Sequence, residues 1–451
     1  MNVEQILSQA EAADVRLVRF LYCDNGGIIR GKTTTTGRLA DRCRDGIGLT
    51  KAMMAMNAFD HLQPVEGTGP VGEIRLVPDP ASFAVLPYAP HAAAMYCDQI
   101  EHDHTPWGAC PRSFLKRMEA RLGERGWRVE AAFEAEFSLA RPAQDAGVPY
   151  EPFDETLCFS SVAMALAAPF VDDLVAALEA QGLAVEQYYP ELGHGQHELS
   201  IRHAPALTAA DNHLKLRETI RSVALKHGLY ASLAPKPFPQ QAGNGAHIHF
   251  SLWDAQGHNL FHDPQNLPGV SMLARHFIGG VLAHLPALVA VTCPSVNSYR
   301  RLQPQSWSSA YAVYGFDNRE AAIRIASPFW SNVEGTTNLE LKAADSSCNP
   351  YLALGCLIAA GLDGVERRLD PGPEMLVDPG GLSEEERGER NIRELPHSLT
   401  AALDELERDS MLCDSLGDLL ARSFLAVRRS EAAMFPAEAT NDEFVQHFYR
   451  Y

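Results

Sequence analysis

Two β-rich stretches flank Asp24-Asn25-Gly26-Gly27 within residues 15–35, and a turn of that composition between apolar runs predicts a hairpin. Short extended pieces continue to about residue 100, broken at Pro78, Pro80, Pro87 and Pro90, and predict a small sheet-rich N-terminal domain. After Cys110-Pro111-Arg112 the spacing turns helical; residues 127–139 then read as a strand, and helices and strands mix to the end. Residues 208–228 place Leu216, Ile220 and Val223 on one helical face, with Gly228 as a stop and Thr208 with Asp211 as a capping box. Residues 351–368 and 396–430 also predict helix. The Pro-, Gly- and charge-rich residues 370–395 between them predict an exposed loop.

Composition narrows the class. The chain has 451 residues, 46% hydrophobic and 21% charged, so it can bury a large core and disorder is excluded as its main state. That length admits one to three domains. Lys plus Arg number 38 against 57 Asp plus Glu, a formal charge of −19, which disfavours nucleic acid or an anionic membrane as partner. The 9 cysteines are scattered without a C-x-x-C pair, against a disulfide framework or structural zinc. An acid, Glu4, stands where a signal peptide carries basic residues, and no uninterrupted apolar run suggests a membrane span. A reduced, cytoplasmic protein is expected.

Gly26 to Thr33 satisfies the G-x-x-x-x-G-K-S/T phosphate-loop pattern, and context has to decide it. Such a loop needs its Lys-Thr to open a helix, whereas Lys32 precedes Thr33-Thr34-Thr35-Thr36-Gly37 and Ile28-Ile29 read as a returning strand. The hairpin reading is preferred.

Carboxylates carry more chemistry. Glu134-Ala135-Glu136 lies in an extended run, so both acids point to one face while Phe133 and Phe137 point to the other. Taken alone, such a pair is a solvated strand face. The same spacing recurs, however, in His247-Ile248-His249 and Glu340-Leu341-Lys342, and Glu191 and Glu198 bracket another short segment. If these segments converge, hard carboxylate oxygens with an imidazole suit Mg²⁺ or Mn²⁺ rather than zinc. Arg300, Arg301, Arg319 and Arg324 crowd residues 299–324; the plain reading is a surface stripe, but beside a divalent cluster such forks would suit a polyphosphate and a carboxylate.

Taken in order, these segments resemble glutamine synthetases and their γ-glutamyl-amide ligase relatives over most of the chain. They are Phe133-Glu134-Ala135-Glu136-Phe137; Glu191 with Gly195-Gln196-His197-Glu198; residues 243–251 (Gly-Asn-Gly-Ala-His-Ile-His-Phe-Ser); Asn297-Ser298-Tyr299-Arg300-Arg301-Leu302; Asn318-Arg319 with Arg324; and Glu340 with Asn349-Pro350-Tyr351. The resemblance implies an α+β fold. A β-grasp domain over residues 1–105 would precede a catalytic domain over 106–451 with a curved antiparallel sheet and surrounding helices. It also implies a hexameric or dodecameric ring with active sites between neighbours. Carried over by position, Glu136, Glu191 and Glu198 would hold one Mg²⁺ or Mn²⁺ and Glu134, His247 and Glu340 another. His249 and Ser251 would lie near ATP, Arg319 and Arg324 near its phosphates, and Arg301 with the Gly243 backbone near the amino-acid substrate.

Departures from the family pattern bear on substrate. Where ammonia-using members carry a flap Glu after the Arg-Leu-x-Pro segment, this chain has Trp307, and the position of a second ammonium-binding Asp falls at Thr50. Loss of both anions removes the attraction for a small cation, and an indole offers an apolar or cation–π wall. On the substrate side Ala242 replaces an Asn and Lys342 an Arg; on the nucleotide side Asn338 replaces an Arg; and Arg393 stands where some bacterial members carry an adenylylated Tyr. The expected activity is ATP-dependent joining of the γ-carboxylate of glutamate, or a close analogue, to a small organic amine. The rival readings are an ammonia-using glutamine synthetase and a catalytically inactive ring-forming metabolite scaffold.

Overall fold

The computed structural model describes residues 1–143, 149–266, 269–436 and 438–451. Two sheets organise them. The smaller contains β1 (Leu17–Cys23), β2 (Ile29–Thr35), β3 (Ile47–Thr50), β4 (Glu73–Pro78), β5 (Ala84–Val85) and β6 (Ala92–Ile100), in the order β2-β1-β6-β4-β3 with β5 beside β6. β1 and β2 form the expected antiparallel hairpin, with Phe20 opposite Lys32. Lys32 is therefore a strand residue whose ammonium donates to the Gly48 carbonyl at 2.5 Å, and the phosphate-loop pattern is accidental.

The larger sheet contains β7 (Trp127–Pro142), β8 (Tyr150–Pro152), β9 (Val185–Pro190), β10 (Gln196–Ile201), β11 (Ala204–Pro205), β12 (Tyr230–Ser232), β13 (Ala246–Asp254), β14 (Tyr314–Phe316), β15 (Ile323–Ala326) and β16 (Asn338–Leu341). Its spine runs β14-β15-β16-β13-β7-β10-β9, antiparallel except for the β14–β15 pair. One face buries Phe133, Ile248, Leu341 and Ile323, each at most 1% exposed. Behind them pack the helices Met272–Thr292 and Pro350–Arg367. Those helices touch closely: a Cβ at Gly280 would lie 2.2 Å from the Ala360 carbonyl oxygen.

Helices replace some sequence expectations. The helix expected at 208–228 is Ala206–Lys226; it starts too early for Thr208 to cap it, and its N-cap, Pro205, offers no side-chain bond. Asp211 instead accepts from Arg112 at 2.9 and 3.2 Å and from the Tyr351 hydroxyl at 2.6 Å. Residues 370–395 are not all loop, because Ser383 and Glu386 form a capping box for the helix Glu384–Glu389. Residues 396–430 divide into Leu399–Arg408, Ser410–Leu416 and a third helix running on to Met434. Two helices, Ser161–Glu179 and Met272–Thr292, are long and apolar enough to cross a membrane by length and composition alone. The second is a core helix with 78% of its most apolar stretch buried; the first is 33% buried and packs one side onto Leu216 and Ile220. All nine cysteines are free thiols.

The β1–β2 turn is the polar bolt between the sheets. Arg217 donates to the Gly27 carbonyl at 2.8 Å, Tyr451 to that of Gly26 at 2.8 Å, and Asn349 to those of Cys23 and Asp24 at 3.0 and 3.1 Å. Gly27 has φ +74°, and a Cβ there would sit 2.1 Å from the Ser347 carbonyl oxygen. Gly27→Ala should therefore destabilise the protein by about 2–4 kcal/mol, read as a lower urea midpoint. Gly37→Ala, where an added Cβ meets nothing within 4 Å, is the control. Lys32→Ala should leave the affinity for an ATP analogue, measured by calorimetry, unchanged.

Candidate active site

Strand register assembles the site. Across the sheet, Arg324 pairs with Glu340, Glu340 with His249, His247 with Glu134, and Glu136 with Glu198. Period-two geometry sends all of these side chains to the face opposite Phe133 and Ile248. The segments singled out in the sequence thus converge.

Distances show how tightly. His249 Nε2 lies 3.3 Å from Glu134 and 4.0 Å from Glu340, and His247 Nδ1 lies 3.3 Å from Glu340 and 3.7 Å from Glu134. The other nitrogen of His247 is 3.8 Å from Glu136. Glu134, His249 and Glu340 offer ligand atoms all within 4.8 Å of one another. The family pattern put His247 in that set and His249 beside the nucleotide; here both imidazoles face the acids at similar distances. Asn338 explains part of this, since its amide oxygen holds His249 Nδ1 at 2.9 Å.

Cations edge the cluster. Arg324 and Lys342 reach separate oxygens of Glu340 at 3.0 and 3.4 Å. Buried Arg301 lies 3.1 Å from His247 Nε2 and donates to the Ala344 carbonyl at 3.2 Å. It occupies space left by two glycines: a Cβ at Gly243 would be 2.8 Å from its Cγ, and one at Gly245 would be 2.6 Å from its Nη2. Arg300 turns away to pair with Glu443 at 2.8 Å, so it leaves the group of arginines read from the sequence. Arg319 is exposed just before β15. Thr50 lies at the end of β3 in the small sheet, where its hydroxyl bonds the Gly69 carbonyl at 3.3 Å and the Ala52 N–H at 3.4 Å.

Two residues that support the acids had no assigned role in the sequence. Gln196 donates to Glu136 at 2.9 Å and to the Gly243 carbonyl at 2.9 Å. Its place two residues before Glu198, on the same strand face, was a usable signal. Tyr189 donates its hydroxyl to Glu198, its partner in the β9–β10 register, which only the pairing reveals.

The electrostatics are those of an acid cluster short of counter-charge. Burial, then the charges of Glu134 and Glu136, push Glu198 well above the usual carboxyl range. Burial and the Glu136 charge push Glu191 up to about 7. Burial would also raise Glu340, but Lys342 and the two histidines outweigh it and hold this carboxyl well below the ordinary value. Burial disfavours protonated His249, yet its hydrogen bond to Glu134 and the neighbouring negative charge raise it to about 9; burial and Lys342 depress His247 to about 4. Carboxylate oxygens and imidazole without thiolate fit Mg²⁺ or Mn²⁺, whose charge would relieve this repulsion. From Glu134 and His249 a cleft of about 440 Å³ runs out past Ser251, Phe329, Asn332 and Asn338. Ser251 there accepts from the Trp253 indole at 2.8 Å. Arg319 and Arg324 do not line this cleft.

An acid-rich sheet face beside a cleft of nucleotide size suits metal-assisted phosphoryl transfer. The comparisons with known proteins agree. Residues 1–107 match the glutamine synthetase N-terminal domain and residues 108–447 the glutamine synthetase catalytic domain. The chain is 36% identical to the gamma-glutamylpolyamine synthetase GlnA3 of Streptomyces coelicolor over 432 residues, 95% of this chain and 92% of that one. It is 32% identical to the glutamine synthetase of Halobacterium salinarum over 454 residues, 99% and 97% of the two chains. Among solved structures, a glutamine synthase homologue superposes with a TM-score of 0.84 at 37% identity, covering 96% of this chain and 98% of that one. An ADP complex of GmaS superposes at 0.85 with 30% identity, covering 97% and 98%. The chain belongs to the glutamine synthetase family and is a carbon–nitrogen ligase. Enzymes of this family use ATP and divalent metal ions.

If His249 and Glu191, raised to about 9 and about 7 in the free protein, both meet a divalent ion, its binding displaces their protons. Affinity for Mn²⁺, followed by electron paramagnetic resonance, should therefore fall by about tenfold per pH unit below pH 9, and more steeply below pH 7. A flat profile between pH 6 and pH 9 would show that neither group meets the ion.

Proposed function

We propose that this ligase joins the γ-carboxylate of glutamate, or a close analogue, to an organic amine. The observation that carries the reading is Trp307, which the family pattern sets at the flap-acid position and which is 60% exposed. The name of the Streptomyces relative points the same way, while the several relatives named glutamine synthetase favour the ammonium alternative.

In this reading Glu136, Glu191 and Glu198 hold one metal ion, and Glu134, His247 and Glu340 a second, with His249 adjoining that set. The ions supply neutralisation of the charge on the transferring phosphoryl group. His249 and Ser251 face ATP; Arg319 and Arg324, which do not line the cleft here, would reach its phosphates from outside it; and Arg301, the Gly243 backbone and Lys342 orient the amino acid. Lys342 provides charge without the fork of an arginine, which leaves room for an analogue of glutamate. A γ-carboxylate oxygen attacks the terminal phosphorus of ATP and ADP departs. The resulting acyl phosphate has the leaving group a carboxylate lacks; the free amine attacks its carbonyl carbon, inorganic phosphate leaves, and the nitrogen gives up a proton. Thr50 would face a neighbour's site in a hexameric or dodecameric ring.

ADP release measured with ammonium and a series of alkyl and aryl amines tests this. The wild type should turn over an organic amine with higher kcat/KM than ammonium, and Trp307→Glu should shift the ratio toward ammonium by about tenfold or more, the worth of one charge-assisted contact. No gain in ammonium use would remove the argument from the flap.

A further inference from the structure

The segment that carries Trp307 is pinned by a carboxylate which the family pattern does not explain. The Trp307 N–H donates to Glu320 Oε1 at 2.8 Å. Glu320 lies between Arg319 and β15, and its backbone is fixed in turn: its N–H donates to Asn318 Oδ1 at 3.0 Å, while Asn318 donates to the Met375 and Val377 carbonyls at 2.8 and 3.1 Å. Next in sequence, the Ala321 carbonyl accepts from Ser309 Oγ at 2.9 Å, and that of Ala322 accepts from the Lys342 N–H at 3.0 Å. Glu320 therefore sits where the Trp307 segment, β15 and the Lys342 backbone meet.

Among the described residues no salt bridge meets its charge, and the cation that acts on it, Lys342, does so from beyond ion-pair distance. Nothing among them engages Oε2, although the side chain is half-buried. Glu340 by contrast is met by both Arg324 and Lys342. A fixed carboxylate with a spare oxygen, bonded to the backbone of the residue that carries an exposed indole, suits an alkylammonium group: the oxygen would take the charge and the ring would cover the methylenes. The nitrogen that attacks an acyl phosphate must be a free base, and while Glu320 stays ionised the nitrogen it holds stays an ammonium. One molecule meets both demands if it has two amino groups.

Resting on the organic-amine reading above, we infer that Glu320 and Trp307 form a specificity site for a diamine or longer polyamine, Glu320 Oε2 holding one terminal ammonium while the other terminus, as free amine, is acylated. The anion absent from the usual flap position is thus supplied from the start of β15, displaced so as to select a longer substrate.

The test compares ammonium, n-butylamine and 1,4-diaminobutane in wild type and in Glu320→Gln, which keeps an acceptor for the Trp307 N–H and removes only the charge. The expected result is a diamine preference in the wild type, with the diamine-to-monoamine ratio of kcat/KM falling about tenfold or more in Glu320→Gln through KM, the loss of one charge-assisted bond. Glu320→Asp should retain part of the preference. If Glu320 only ties down the loop, Glu320→Gln will leave the ratio unchanged, and the inference fails while the organic-amine reading stands. If the wild type prefers ammonium to both amines, the organic-amine reading itself fails, whatever the variants do.

Discussion

Everything at this site depends on one unfavourable fact that the sheet enforces: four glutamates are held on one face, with Glu191 within reach of their charge, closer than those charges would choose. The restoring force comes from the other face. In the register that aligns Glu134 with His247 and Glu340 with His249, Phe133 aligns with Ile248, and Ile248 and Ile323 each with Leu341. That apolar row is almost wholly excluded from water. A slip of one residue in any strand would expose it and bury the acids in its place. Hydrophobic burial therefore fixes the position of the charges, and the repulsion left over becomes affinity for a divalent ion.

The small sheet is joined by a different interaction. Its turn at Asp24 to Gly27 presents backbone carbonyls, and the larger unit answers with Arg217, Asn349 and Tyr451, all buried. Buried carbonyls demand such donors, so the junction is directional in a way an apolar patch is not. Asn349 does two jobs: it caps the core helix Pro350–Arg367 through the Tyr351 N–H and grips the turn with its amide. The same helix packs behind the acid-bearing strands, so the turn is referenced to the site through one rigid element.

Much of this was legible in the sequence for physical reasons. The period of two at Glu134–Glu136 and His247–His249 states which side chains share a face, and the hairpin turn declares itself by composition. Pairing is what a single chain conceals. Tyr189 meets Glu198, and Asn338 orients His249, only because particular strands are neighbours, and neither contact is marked by a local pattern. The capping-box reading at Thr208 failed for a related reason. Asp211 has two buried partners, Arg112 and Tyr351, from distant parts of the chain, and tertiary contacts override a local motif of about 1 kcal/mol. Arg300 likewise resembled a site residue until the C-terminal helix supplied Glu443.

The Trp307 segment shows how such overrides can serve chemistry. Gln305, Trp307 and Ser309 all have positive φ, at 57°, 53° and 68°, and none is glycine. Each costs on the order of 1 kcal/mol and persists only where neighbours over-determine the backbone. Here the neighbours are Glu320, which takes the Trp307 N–H, and Ala321, which takes the Ser309 hydroxyl. Both lie on the chain that enters β15 and leads to Arg324, itself bonded to Glu340. The exposed indole is therefore not an independent surface feature. Its backbone is held by a carboxylate four residues from a cation of the acid cluster, so any ligand that competes for Glu320 acts on the loop and on the edge of the site together.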